Sequence, residues 1–251
     1  MAYGNVNVDK IRESNINAFM MQGNVLAQHE GLICKHVTTT TVDIDADAIL
    51  LLDSTTGDGY KAESINLTLA ITTSGLLGLD TGSEANSTWY YLWVIYNGTT
   101  VSGIISTSST APTMPSGYTY KGLVGAVYNG SGGNLSDFHQ VGGVVVRSTK
   151  QVLSAGAATT ITSVDLATAI PLLAKVATGW VNCRDTLSAS AVMNTYSTAG
   201  SLGEQRHTTR NGTTAPEGHG LSQPIMVAQT MWYKSDVATE NLEINITGWE
   251  Y

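Results

Sequence analysis

The sequence predicts an all-β fold, a sandwich or a barrel, on three observations. Runs of alternating apolar and polar residues recur about every 8 to 12 residues, the spacing of strands in such folds. Turn residues punctuate them: Gly occurs 26 times, and Asn-Gly pairs stand at Asn97-Gly98, Asn129-Gly130 and Asn211-Gly212. No stretch carries the 3.6-residue apolar periodicity of a long amphipathic helix.

The composition narrows the function classes. The chain has 251 residues, enough for one large domain or two of ordinary size. Charged residues make up 13%, well below the ~25% usual in soluble domains. The net charge is −8 without a run of Lys or Arg, so the basic footprint of a nucleic-acid binder is missing. The start, Met1-Ala2-Tyr3-Gly4-Asn5, has neither the basic region nor the apolar stretch of a secretory leader. No run approaches the ~20 apolar residues of a membrane span, so membrane insertion is not expected. Asn-x-Ser/Thr triplets, such as those at Asn66 and Asn245, are read as chance in an Asn- and Thr-rich chain. Cys34 and Cys183 lie too far apart in sequence to assume a disulfide and are read as buried free thiols.

Residues 1–36 read as an arm for attachment and oligomerisation. Ser14 can cap a helical turn through Ile16, Phe19 and Met20, closed by Gly23. The apolar Phe19-Met20-Met21 sits in a polar context too small to bury it. Strand patterning begins near Val37. Val42, Ile44 and Ala46 alternate with Asp43, Asp45 and Asp47, and this triplet of aspartates raises a calcium site. An EF-hand loop needs Gly at its sixth position and Glu at its twelfth. Ala48 and Ser54 stand there, so the aspartates are read as the wet face of a half-exposed strand. Ile65, Leu67, Leu69 and Ile71 mark another half-buried strand. Asp80-Thr81-Gly82, in the loop that follows, matches the aspartic-protease triplet. That chemistry needs two carboxylates sharing a proton, and no second triplet exists.

The stretch from Thr88 to Tyr128 carries the most information. Trp89 to Tyr96 is eight consecutive large residues, followed by Asn97-Gly98, which predicts a two-residue type I′ hairpin turn into Val101–Ser106. A proline loop, Ala111 to Gly117, separates this hairpin from an extended run at Tyr118–Tyr128. Side chains alternate between sheet faces, yet neither Trp89, Tyr91, Trp93 and Ile95 nor Tyr90, Leu92, Val94 and Tyr96 forms a polar set. Such a strand needs cover on both faces. One face can pack in the domain core; the other needs a neighbouring domain, the N-terminal arm or another subunit. Phe19, Met20, Tyr90, Leu92, Val94 and Tyr96 are accordingly the candidate oligomer interface.

Arg147-Ser148-Thr149-Lys150 is a polar break, giving expected modules at 37–149 and 150–251. The second module repeats the strand-and-turn style through Trp180, Trp232 and Trp249. Its long polar loop, 198–220, gathers Glu204, Arg206, His207, Arg210, Glu217 and His219. Two histidines beside carboxylates raise a metal site, but metal ligands need spacing fixed by regular structure. The loop is read as solvated. No nucleophile elbow or phosphate-cradling glycine pattern is present. Neither a cofactor nor a catalytic residue is expected, and the enzyme alternative is a carbohydrate-active depolymerase.

The segments Leu79–Ser83, Ser87–Asn97, Ser106–Lys121 and Val124–Val127 resemble a module of virion proteins from tailed bacteriophages, the tail fibres and head fibres or capsid decorations. Asn5-Val6-Asn7-Val8-Asp9-Lys10-Ile11 is similar to short N-terminal arms in that group, and Gln229–Lys234 with Ile246–Tyr251 resembles a second β module. The likeness spans roughly 40–251 and is strongest over 79–128. It implies two successive antiparallel β-sandwich modules, jelly-roll-like, behind the arm. It further implies a homotrimer in the virion, assembled in the bacterial cytoplasm, with other capsid or tail proteins bound through the arm. Host cell-surface glycan is a further expected partner, and a lectin-like use of Trp180, Trp232 and Trp249 is the binding alternative. The family offers no catalytic residues to carry over, and the chain lacks the long shaft of a full-length fibre.

Overall fold

The computed structural model describes residues 25–53, 55–184, 192–208, 217–236 and 241–251. Every regular element among them is a β-strand, and every pairing between named strands is antiparallel. The chain divides into two compact units between Gly142 and Gly143. The polar quartet Arg147–Lys150, expected as the break, lies inside a strand, because polar side chains fit a largely solvated strand face.

Unit 1 contains β1 (His29–Glu30), β2 (Ile33–Thr38), β3 (Thr41–Asp53), β4 (Gly59–Ala70), β5 (Thr88–Tyr96), β6 (Val101–Ser106), β7 (Tyr120–Asn129) and β8 (Phe138–Val141). One layer runs β8-β2-β3-β4, with β1 on the C-terminal half of β3. The other runs β7-β5-β6. They are stitched where Leu52 and Asp53 of β3 pair with Lys121 and Tyr120 of β7. Small residues let the layers close: a Cβ on Gly103 of β6 would strike Leu69 of β4, and one on Gly125 of β7 would strike Gln140 of β8. Gln140 Nε2 donates to Val124 O at 2.7 Å across the same gap.

Strand β3 shows the expected alternation and then changes phase. Val42, Ile44 and Ala46 are buried. Asp43 and Asp45 point outward, accepting hydrogen bonds from Thr68 Oγ1 at 2.7 Å and Asn66 Nδ2 at 3.0 Å, with Lys35 Nζ at 3.8 and 3.6 Å. Beyond Ala46 the inward set becomes Ala48, Ile49, Leu51 and Asp53. Strand β4 changes phase alongside at Ser64, whose φ is +54°, between buried Ala62 and Ile65. The switch carries the β3–β4 ribbon from one layer toward the other.

The stretch 25–36, expected in the arm, is part of this core. Leu26, Ala27, Leu32 and Cys34 are buried, and Ala27 N donates to Leu123 O at 2.8 Å. Burial pushes the Cys34 thiol well above its usual pKa and leaves it inert. The rest of the expected arm, including Phe19 and Met20, lies outside the described residues.

Strand β5 is apolar on both faces because its own chain covers both. Tyr90, Leu92 and Val94 lie beside Val127, Gly125, Gly122, Ile105 and Gly103, on the face turned to the other layer. On the opposite face Trp93 Nε1 donates to Ser108 O at 3.2 Å, and Lys121, held over the Trp93 ring, donates to Thr110 O at 3.3 Å. The connection between β6 and β7 thus lies over part of this side. Asp80 anchors it, accepting from Thr113 N at 2.7 Å, which gives the Asp-Thr-Gly triplet a structural use. The expectation that Tyr90, Leu92 and Val94 meet another copy is corrected accordingly: at 0–1% exposure they have no surface to offer, and only Tyr96 is half-exposed.

The hairpin turn also differs from expectation. Tyr96 pairs with Val101, and positive φ occurs at Gly98 (+95°) but not at Asn97, whereas a type I′ turn needs it at both central residues. The turn is therefore centred one residue later, on Gly98-Thr99. Asn97 precedes it and caps it: Oδ1 accepts from Thr99 N at 2.9 Å and Thr100 N at 2.7 Å. Gly98→Val is expected to cost about 1–2 kcal/mol, the penalty of an L side chain at positive φ, and thermal melting checks it.

Unit 2 contains β9 (Val144–Gly156), β10 (Thr162–Asp165), β11 (Val176–Arg184), β12 (Val192–Tyr196), β13 (Gln205–Thr208), β14 (Glu217–Pro224), β15 (Thr230–Ser235) and β16 (Asn241–Glu250). They form two four-stranded arrays, β14-β11-β16-β9 and β10-β15-β12-β13. Ala177, Val181, Cys183, Leu242, Ile244 and Ile246 of the first are buried, as are Val164, Met193 and Met231 of the second. Strand β13 and the first half of β14 fall within the stretch 198–220 that the sequence presents as a solvated loop.

Candidate functional site

Three connections of unit 1 converge at one end. The β3–β4 turn, the β5–β6 turn and the C-terminal end of the proline loop are brought together by the pairs Leu51↔Tyr60, Asp53↔Tyr120 and Tyr96↔Tyr120. Asp53 fastens two of them. Its carboxylate accepts from Thr55 N at 2.7 Å and Thr56 N at 3.1 Å. The bond from Thr55, one from the Thr119 side chain and the bond from Thr56 together hold its pKa below the usual carboxylate value.

On this frame sit three half-exposed tyrosines. The rings of Tyr60 and Tyr96 stack at 3.7 Å with an interplanar angle of 6°. Tyr120 meets Tyr60 edge-on at 6.3 Å and lies 5.8 Å from Tyr96 at 58°. A hydrogen bond with the Tyr60 side chain, followed by partial burial, raises the Tyr96 phenol above its ordinary pKa. Rigid amphipathic rings combine apolar area with hydroxyl groups at low entropic cost, a composition suited to contacting a partner.

Of the sequence-derived candidates, Tyr96 alone belongs to this cluster. Tyr60 and Tyr120 gave no local signal: they are far apart in sequence and meet only through strand register. Among the tryptophans weighed for sugar binding, Trp249 is buried, while Trp180 and Trp232 are half-buried.

The histidines of unit 2 are placed by regular structure after all. His207 sits at the inward position of β13, 2% exposed, with its ring 5.6 Å from that of His219 on β14. Gln223 Nε2 donates to Ser197 Oγ at 2.7 Å and Gly203 O at 2.8 Å, so its Oε1 accepts from Thr195 Oγ1 at 2.9 Å. The Thr195 hydroxyl, having given its proton to Gln223, accepts from His207 Nε2 at 3.2 Å. His219 Nε2 donates to Thr208 O at 3.1 Å. Both imidazoles therefore carry their proton on Nε2. Burial first, and His219 second, lowers the His207 pKa to about 4. Among the described residues, no three His, Cys, Asp or Glu side chains are grouped to hold a metal ion. Glu204 and Arg206 are exposed, and Arg210 lies outside the described residues. The network joins β12 and β13 to β14 and reads as a polar core.

In comparisons with known proteins, no family model and no curated protein matches this chain.

Proposed function

We propose that the protein is a non-enzymatic structural component of a tailed-bacteriophage virion, a short tail fibre or tip or a capsid-decorating head fibre, working as a homotrimer. The observation that carries this reading is the strand order of unit 2. The arrays β14-β11-β16-β9 and β10-β15-β12-β13, all antiparallel, follow the pairing of a jelly roll, an architecture used by viral capsid and lectin domains. The likeness of residues 79–128 to phage fibre modules points the same way. Residues 1–24 are the proposed attachment segment to capsid or tail proteins, since 25–36 belong to the body of unit 1. The trimer now rests on the family likeness, because β5 is covered within its own chain.

A chain lacking residues 1–24 tests the proposal. It is expected to keep the full-length melting behaviour while failing to enter particles in a complementation assay. Normal incorporation of the truncated chain would sink the assigned role of the arm.

The Tyr60–Tyr96–Tyr120 cluster favours a second reading, a half-exposed aromatic platform for host cell-surface glycan. Tyr60→Ala is expected to abolish host-cell binding with little loss of stability, read by adsorption of fluorescently labelled protein. Undiminished adsorption would move any glycan contact elsewhere.

A further inference from the structure

We infer that Asn97 is a self-modification site: its side-chain amide is lost by attack of the Gly98 backbone nitrogen, leaving aspartate or isoaspartate at position 97. Two Asn-Gly pairs lie among the described residues, and their surroundings are opposite. Asn97 is exposed, and a Cβ built on Gly98 would meet nothing within 4 Å, so base and water reach the peptide freely. Its Oδ1 accepts from Thr99 N at 2.9 Å, Thr99 Oγ1 at 2.9 Å and Thr100 N at 2.7 Å. These donors stand where negative charge develops when the amide carbon becomes tetrahedral, the arrangement that stabilises an oxyanion. The Gly98 N–H has no hydrogen-bond acceptor among the described residues, which leaves the nucleophile unencumbered.

Asn129 has none of this. It is fully buried, and Nδ2, the leaving group, is tied to Glu84 Oε1 at 3.0 Å and Ala85 O at 2.9 Å. Its Oδ1 has no hydrogen-bond partner. The nitrogen that would attack, Gly130 N, is committed to Asn134 O at 2.8 Å. The same dipeptide is activated in one turn and protected in the other.

The reaction balances without a co-reactant other than water. Gly98 N bonds to Asn97 Cγ and gives its proton to solvent base. The Cγ–Nδ2 bond breaks and ammonia departs. Water then opens the five-membered imide at either carbonyl. Each product adds a negative charge to the loop end of unit 1, next to Tyr96; isoaspartate also lengthens the backbone beside the Tyr96↔Val101 pair. The tyrosine face thus changes charge and shape with the age of the protein.

Peptide mass spectrometry of the intact full-length chain, incubated in mildly alkaline buffer at physiological temperature, tests this. Exchange of amide for carboxylate is expected at Asn97 about a hundredfold faster than at Asn129, the lower end of the scale on which a single oxyanion donor acts. Gly98→Ala should slow the exchange at 97 and leave 129 unchanged. Equal rates at the two sites, or faster loss at Asn129, would overturn the proposal.

Discussion

Leu92→Ala is expected to destabilise unit 1 by about 3 kcal/mol, within the range for truncating a fully buried leucine that leaves a cavity. Leu92 is 0% exposed at the middle of β5, between Ile105 on β6 and Gly125 on β7. Both neighbouring strands are hydrogen-bonded to it, and the opposing layer approaches through Gly103 and Gly125, so little can collapse into the space. The melting transition of the variant should fall at every protein concentration, while the mass measured by light scattering below the melt should match wild type. That pairing separates a core residue from an interface residue. A shift of mass toward the 26.5 kDa monomer at unchanged melting would restore Leu92 to a subunit interface.

Acid is expected to loosen unit 2 through His207. The folded pKa, about 4, lies below the ordinary imidazole value of 6.5. A depressed value means that the folded state binds fewer protons than the unfolded chain in this window. The stabilisation is therefore complete above about pH 6.5, declines as pH falls toward 4, and levels off below that. Its size is up to about 3 kcal/mol, from 1.36 kcal/mol for each pH unit between the two values. The physical event is charging of an imidazole whose one described hydrogen-bond partner is the Thr195 hydroxyl and whose neighbour is a second imidazole, His219. His207→Gln keeps a donor toward Thr195 without a titrating group. Chemical denaturation between pH 4 and 7 should show a flatter acid slope for this variant than for wild type. Identical slopes would place the acid sensitivity on other residues.

Much of the fold is legible in the sequence wherever one sheet face is wet. Val42, Ile44 and Ala46 against Asp43 and Asp45 are an unambiguous period of two, and the structure keeps that alternation. The same rule misleads at β5, where an absence of polar residues signals cover on both faces without saying whose. The connection between β6 and β7 provides part of that cover, and no local pattern tells a loop that crosses a sheet from one that leaves it. Strands β13 and β14 are hidden for the converse reason: His207, Gln223 and Thr195 are buried polar residues that satisfy one another, and in sequence they look like solvent-facing ones. The core role of residues 25–36 is hidden because Ala27 and Cys34 meet Leu123 and Val124 of β7, which arrive much later in the chain.

The tyrosine cluster lies beyond local reading altogether. Tyr60, Tyr96 and Tyr120 meet because β3 pairs with β4 on one side and, over its last two residues, with β7 on the other. Register creates the site: Tyr60 lies opposite Leu51, and Tyr120 opposite both Asp53 and Tyr96.

Immunogold electron microscopy of intact particles, with an antibody raised against the full-length protein, tests the central claim most directly. The account predicts gold at one repeated position, along the tail tip or over the capsid, and none on particles made without the gene for this chain. Particles that carry no label, while the protein accumulates free in the lysate, would contradict it.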